Sequence, residues 1–230
     1  MLNTKFKFSL LIFLVFSANS IWGQNSYQFG LLPALNFNKK LPEDWSLNTK
    51  IEGRYLFESG EVSGDVKEKG KYLQTDISMV AAKKVGLNSK IGGGYMVRIK
   101  DKDLYHRITQ QFNIVQKLTS LRLAHRFVTD QTFSENEKPE FRFRYRISTE
   151  LPLDGTSVDH GEWYLKISNE YLYKIQDSNS EMEIRVVPLL GYDISENLKW
   201  ETGLDYRINP AFSHPKRDSF WVSMNFYIEL

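Results

Sequence analysis

The 230-residue chain contains no cysteine. This absence excludes disulfide bonds, thiolate metal sites, a cysteine nucleophile and the lipidated cysteine that anchors a bacterial lipoprotein. An excess of one charge sign is also missing, since the formal net charge is +2, and we therefore expect no nucleic-acid partner. After Gly23 no apolar run approaches about 18 residues, so the sequence predicts no transmembrane helix in the mature protein.

The N-terminus has the pattern of a secretory signal peptide. Lys5 and Lys7 form a short basic region, and the apolar stretch at residues 8–16 is too short to span a bilayer as a helix. We expect cleavage after Gly23, which would leave a mature chain of residues 24–230. A retained membrane anchor is the alternative, but no charged stop sequence follows the apolar stretch.

Apolar and polar residues alternate along most of the mature chain, most clearly at its C-terminal end. Apolar side chains occupy every second position there, at Phe220, Val222, Met224, Phe226, Ile228 and Leu230. A strand directs alternate side chains to opposite faces, so these six would share one face. Similar alternation elsewhere, without a convincing helix, gives eleven candidate strands in an antiparallel meander, with a long loop predicted at residues 58–70.

Alternation alone fits both a soluble β-sandwich and a barrel that faces lipid. Three features favour the barrel: the strands are long, aromatic residues such as Trp45 and Tyr55 cluster at strand ends, and the polar faces carry charges of both signs. A sheet in hydrocarbon must also be closed, because its unpaired edge amides would cost several kcal/mol each. The sequence therefore predicts an all-β fold, a transmembrane antiparallel up-and-down barrel with a charged lumen.

The number of strands is a separate expectation. Bacterial single-chain barrels have an even number of strands, so a count of eleven indicates a missed or merged strand. We expect twelve strands, with ten as the alternative.

The charged residues in the middle of the candidate strands are predicted to face the lumen. This predicted lumen network comprises Glu52, Arg54, Arg107, Arg122, Arg142, Arg144, Arg146, Glu150, Glu170, Arg185, Glu201 and Arg207. One interpretation is a structural network of salt bridges that fills a narrow barrel. The other is a narrow pore that favours a small anionic solute, since rings of arginine favour anions.

Four stretches resemble a known bacterial family. They are the arginine-rich FRFRYRIS with Glu150 and Pro152, the WYLKISNEYLY stretch, the hairpin IRVVPLLGYDISENLKWETGLDYRI and the apolar terminal strand. Together they resemble the outer-membrane barrel family known as domain of unknown function 2490, common in Bacteroidetes-type bacteria, over nearly all of the mature chain. The resemblance implies a location in the bacterial outer membrane, in contact with its lipid, and implies no known activity or catalytic residue.

The terminal strand also resembles the signal read by the outer-membrane assembly machinery. The residues that would carry this signal are the six alternating apolar ones from Phe220 to Leu230. The chain departs from the usual pattern because it ends in Leu230 rather than in an aromatic residue. We expect the assembly machinery to be a partner of this strand.

Enzymatic activity is the main functional alternative, as a lipid-modifying barrel of the phospholipase or deacylase type. The hydrolytic pair of such barrels resembles His-x-Ser, and none of the four histidines, at positions 106, 125, 160 and 214, has a serine two residues later. His125 with Asp130, and Asp159 with His160, are weak candidates for a metal site. The sequence therefore favours a non-enzymatic role and predicts no cofactor, with a secreted soluble β-sandwich binding protein as a further alternative.

Overall fold

The computed structural model describes residues 26–62, 64–118, 121–135, 137–213 and 215–230. The predicted signal peptide, residues 1–23, lies outside these ranges. A search of the described residues for a helix long and apolar enough to cross a membrane found none.

The described residues form eleven strands. In chain order they are β1 (Ser26–Lys40), β2 (Trp45–Gly60), β3 (Val66–Lys84), β4 (Ser89–Lys100), β5 (Asp103–Lys117), β6 (Arg122–Phe133), β7 (Glu140–Pro152), β8 (Trp163–Gln176), β9 (Asn179–Ser195), β10 (Leu198–Asn209) and β11 (Arg217–Glu229). The strands are 12 to 19 residues long, which confirms the prediction of unusually long strands.

The strands close into a single barrel, as predicted. Each strand pairs antiparallel with its neighbours in the chain, and β1 closes the sheet by pairing parallel with β11, from Ser26 opposite Arg217 to Asn38 opposite Glu229. A single closed sheet leaves no second sheet to pack against. The sandwich alternative is therefore wrong.

The expected number of twelve strands is also wrong, because the alternating segments correspond to the eleven strands of the described residues. The expectation assumed that the first and last strands run antiparallel. In a meander with an odd number of strands they run in the same direction, so closure requires a parallel seam. As a result, Ser26 and Leu230 lie at opposite ends of the barrel, which we call the Ser26 rim and the Leu230 rim.

The loop predicted at residues 58–70 is mostly strand. Strand β2 continues to Gly60 and β3 begins at Val66, with Glu58 opposite Lys69 in the ladder. The Nζ of Lys69 lies 3.8 Å from a carboxylate oxygen of Glu58. The charged composition that indicated a loop therefore belongs to a solvated extension of the hairpin at the Ser26 rim.

The alternation places apolar side chains on the outside of the barrel. Ile77, Met79 and Phe143 are 43%, 53% and 52% exposed, and Phe226 is 36% exposed. The alternating positions face inward and bury charged residues such as Asp130 and Glu170. This arrangement is the reverse of a water-soluble protein, in which large apolar residues are buried.

A small apolar cluster nevertheless lies inside the barrel, beside the parallel seam. It consists of Leu32, Leu56 and Trp221, each at most 3% exposed, with Leu73 packed against it. Trp221 lies directly opposite Gly30 across the seam. A side chain at Gly30 would occupy the space of the indole, since an added Cβ would lie 2.5 Å from its Cζ3 atom.

Candidate functional site

The barrel interior is the candidate site, and Glu170 holds two arginines at its centre. In the strand register, Glu170 of β8 lies opposite Arg146 of β7 and Arg185 of β9. Its Oε2 accepts a hydrogen bond from Arg146 Nε at 2.8 Å, and its Oε1 accepts one from Arg185 Nη1 at 3.0 Å. Arg185 also pairs with Glu183 on its own strand.

Asp130 is the second buried acceptor, and its side chain is fully buried. Its carboxylate accepts hydrogen bonds from the Nη2 atoms of Arg142 and Arg144, both at 3.0 Å. The hydroxyl of Thr109 donates a third, at 2.7 Å. Two arginines therefore share one buried carboxylate.

Two other pairs use both oxygens of an aspartate. Arg98 donates from Nε and Nη2 to Asp76 at 2.8 and 2.7 Å, across the β3–β4 hairpin. Arg207 donates to Asp205 on the same strand through the same two nitrogens, each at 2.8 Å. Paired donors of this kind fix the guanidinium plane, which a single ammonium contact cannot do.

Glu201 accepts from three side chains in the half of the barrel toward the Leu230 rim. Its side chain is 3% exposed, and it accepts two hydrogen bonds from Lys166, at 2.8 and 3.0 Å. The hydroxyls of Tyr164 and Tyr227 each donate to it at 3.0 Å. Glu52 makes a simpler pair with Lys50 at 2.5 Å.

Two residues of the predicted network lie away from these contacts, at the Leu230 rim. Arg122 begins β6, and its side chain is 52% exposed. Its Nη1 lies 4.0 Å from the carboxylate of Glu150, whose side chain is 31% exposed. Pairs exposed in this way contribute about 0–1 kcal/mol to stability.

A cavity of about 430 Å³ lies among the charged side chains. Eleven cationic side chains line it: Lys50, Arg54, Arg98, Arg107, Arg126, Arg142, Arg144, Arg146, Lys166, Arg185 and Arg207. Eight carboxylates either line it or pair with these cations: Glu52, Asp76, Asp130, Glu140, Glu170, Glu183, Glu201 and Asp205. Among the described residues, the lining itself therefore carries more cationic side chains than carboxylates.

The family model described as "Protein of unknown function (DUF2490)" matches residues 29–218, which is most of the chain. The chain belongs to the DUF2490 family. No curated protein and no solved structure matches it.

In this DUF2490 chain, several residues that take part in the interior network were absent from the lumen network predicted from the sequence. They include Asp76, Arg98, Asp130 and Asp205, which the strand register places on the inner face of the barrel. The pairing of Asp76 with Arg98 could have been predicted from the sequence, because antiparallel pairing of β3 and β4 about their short turn brings these two residues opposite each other. Finding Asp205 beside Arg207 would have required only the two-residue period of one strand.

Five of the six apolar residues of the proposed assembly signal occupy alternate positions on the outer face of β11, and the sixth, Leu230, follows the end of the strand. Strand β11 is hydrogen-bonded on both sides, to β10 and to β1. The closed ladder therefore leaves β11 no free edge in the folded DUF2490 barrel. Recognition of this strand by assembly machinery stays a prediction.

The histidines of the described residues make contacts of other kinds. His106 and His125 bond to the hydroxyls of Tyr95 and Tyr145, and His160 lies 3.2 Å from Asp193. None of these is the histidine–serine pair of lipid-modifying barrels, and His214 lies outside the described residues. His125 and Asp130 point to opposite faces of β6, so that metal candidate is wrong. In the described ranges a search for three or more His, Asp or Glu side chains that could hold a metal ion found no group, at Asp159 and His160 or elsewhere.

Proposed function

We propose that this DUF2490 protein is a bacterial outer-membrane β-barrel whose interior forms a narrow passage that prefers small anions. The observation that carries the proposal is the reversal of the usual burial pattern around a closed sheet. Large apolar side chains cover the outside, while the ionised residues are buried inside. Exposure of this apolar outer surface to water would be unfavourable in free energy, whereas contact with the hydrocarbon of a bilayer would not.

The length and aromatic pattern of the strands support a membrane location. A tilted strand needs about 9–11 residues to cross the hydrocarbon, and every strand here exceeds that number. Trp163 packs against Tyr192 and Trp200 close to the Leu230 rim. Near the Ser26 rim, Phe57 packs against Phe29 and Tyr55. Aromatic residues favour the two interfaces of a bilayer, which matches these two groups.

The outer surface has a polar interruption between β5 and β6, at Gln110, Thr129 and Gln131. Thr129 donates to the amide oxygen of Gln110 at 2.7 Å, and the two glutamine side chains bond to each other at 3.1 Å. Hydrogen-bonded polar groups are tolerated in an apolar surrounding far better than unpaired ones. This patch is therefore compatible with a lipid-facing surface.

Cell fractionation combined with a heat-modifiability gel tests the location. We expect the protein in the outer-membrane fraction of its bacterium, and we expect unheated samples to migrate differently from boiled ones because the closed barrel resists detergent. Recovery in the periplasmic or secreted soluble fraction would contradict the proposed location.

The preference for anions rests on the excess of positive charge around the cavity. Rings of arginine or lysine lower the energy of an anion in a pore and raise that of a cation. With a potassium chloride gradient across a planar bilayer, we expect small conductance steps and a reversal potential displaced toward that of chloride. If the refolded protein inserts into the bilayer but gives no conductance steps, the proposed passage is contradicted and a structural role for the barrel is favoured.

A further inference from the structure

Three hydrogen-bonded groups of polar side chains lie together on one side of the outer surface. Each group joins side chains of neighbouring strands, and all of them belong to β4, β5, β6 or β7. The groups are Tyr95 with His106, Gln110 with Thr129 and Gln131, and His125 with Tyr145. We call these seven side chains the β4–β7 polar face.

Outward polar side chains elsewhere on the barrel wall can bond to the main chain. The amide of Asn169 on β8 donates to the main-chain oxygen of Arg185 at 3.0 Å. The hydroxyl of Thr202 on β10 donates to the main-chain oxygen of Ser223, also at 3.0 Å. In the β4–β7 polar face, the hydrogen bonds among the described residues join side chain to side chain instead. The polar atoms of this face are therefore held at the outer surface of the wall.

The two glutamines of this face use only part of their bonding capacity. Gln110 and Gln131 each donate one amide N–H to the other at 3.1 Å, and Thr129 donates its hydroxyl to the oxygen of Gln110 at 2.7 Å. A carboxamide has two N–H donors, so each glutamine retains one, for which the described residues supply no acceptor. Acyl chains supply none either, and an unpaired N–H in hydrocarbon is unfavourable.

An apolar groove of about 580 Å³ adjoins the two glutamines. Gln110 and Thr129 contribute to its lining beside the aromatic rings of Phe112, Phe127 and Phe143. The side chains of Phe127 and Phe143 are 46% and 52% exposed. Aromatic residues are enriched in protein–protein interfaces, and the groove provides space for side chains of a partner. Amide donors and an aromatic groove thus form one continuous surface.

We propose that the β4–β7 polar face binds a second copy of this chain, so that the barrel is a symmetric dimer in the membrane. A two-fold interface brings the same surface together from both copies, so that surface must be complementary to itself. A carboxamide meets this requirement, because its N–H can bond to the oxygen of the same group on the other copy.

The charge of the surface also fits a second copy. The seven side chains of the β4–β7 polar face include no carboxylate, lysine or arginine, so two identical faces can meet without repulsion between such groups. An acyl chain fills the groove but leaves the amide donors unpaired, which favours a second copy over lipid. The interface rests on the proposed membrane location, since water would satisfy the same amides in a soluble protein.

Thiol cross-linking in isolated membranes tests this interface, because the chain has no cysteine of its own. Ile108→Cys places a thiol on the outer face of β5, directly opposite Gln131 in the ladder. Val222→Cys is the matched control, because it is outward on β11, five strands away from β5 around the closed sheet. With a short bifunctional thiol reagent, we expect a product of twice the barrel mass from Ile108→Cys and none from Val222→Cys.

Sedimentation equilibrium of the refolded barrel in detergent measures the strength of the interface. Gln110→Leu should weaken the dimer about tenfold or more, equal to about 1.4 kcal/mol, because it removes donors and acceptors that pair across the interface. Gln116→Leu makes the same change further along β5, at the Leu230 rim where water can satisfy the amide, and should leave the dimer unchanged. A heat-modifiability gel checks that both variants remain folded.

Equal cross-linking at the two cysteine positions, a product of any other mass, or unchanged dimerisation of Gln110→Leu would each overturn the interface. A barrel that is recovered in the outer-membrane fraction but is monomeric contradicts this interface alone. A dimer that cross-links at Ile108→Cys but is recovered in the soluble fraction contradicts the proposed location alone.

Discussion

At the scale of single residues, the interior depends on carboxylates that serve more than one cation. Glu170 holds Arg146 and Arg185, and Asp130 holds Arg142 and Arg144. Because the wall already carries excess positive charge, each of these carboxylates compensates charges that have few other partners. The shared carboxylates should therefore matter more to stability than the number of ion pairs alone would indicate.

Replacement of Glu170 by glutamine tests this dependence. The change keeps the shape of the side chain but leaves Arg146 without its carboxylate, so we expect a loss of about 3–5 kcal/mol in the free energy of unfolding. Urea unfolding of the refolded barrel in detergent, followed by tryptophan fluorescence, measures the loss.

The matched control is Glu150→Gln at the Leu230 rim, where the side chain is 31% exposed and its partner is 4.0 Å away. This change should cost about 0–1 kcal/mol. Equal losses for the two variants would contradict a special role for the buried, shared carboxylate.

Much of this interior follows from the sequence, and the remainder depends on register. The two-residue period correctly separates inward arginines such as Arg142 from outward aromatics such as Phe143. The partner of each arginine depends on which residue of the next strand lies opposite, and that is set by turn length and bulges. Asp130 therefore could not be assigned to Arg142 from composition and period alone.

At the scale of the elements, the parallel seam between β1 and β11 is the feature that the sequence did not predict. It is stabilised by backbone pairing and by the fit of Trp221 against Gly30. An added Cβ at Gly30 would lie 2.3 Å from the carbonyl oxygen of Tyr55 as well as against the indole. The backbone itself would have to move to accommodate it.

We therefore expect Gly30→Ala to destabilise the barrel by about 1–3 kcal/mol, as overpacking typically does. Thermal unfolding followed by circular dichroism measures the effect. Gly93→Ala is the control, because its Cβ would meet only the carbonyl oxygen of Thr109 at 3.7 Å. A Gly30 variant as stable as the Gly93 variant would show that the seam can relax around a side chain.

Element boundaries were harder to predict than the existence of the elements. Glycine, serine and charged residues between 58 and 70 are typical of loops. In the structure Glu58 pairs with Lys69 across the ladder, and only residues 61–65 connect the two strands. Composition indicates exposure to water, and a strand that extends beyond the barrel wall is exposed in the same way as a loop.

At the scale of the whole molecule, the number of strands shows the limit of a general rule. The alternation of the sequence gives eleven strands, whereas the even number typical of bacterial barrels suggested twelve. That typical number reflects antiparallel closure, and this chain closes its barrel in parallel. The location of Ser26 and Leu230 at opposite rims follows directly from that closure.

The proposal for the whole molecule is that lipid surrounds the outer apolar surface. Met79 of β3 and Val85 of the following turn offer a direct comparison, since they are 53% and 56% exposed. Met79 lies on the outer face of the barrel wall, and Val85 lies at the Leu230 rim. The chain contains no cysteine, so a cysteine introduced at either position gives a single labelling site.

The most direct test is the collision of a spin label with oxygen and with a water-soluble nickel chelate, in outer-membrane vesicles from expressing cells. A label at Met79 should collide frequently with oxygen and rarely with the chelate, because oxygen concentrates in hydrocarbon and the chelate is excluded from it. A label at Val85 should show the opposite pattern. A Met79 label as accessible to the chelate as the Val85 label would contradict the membrane-embedded barrel.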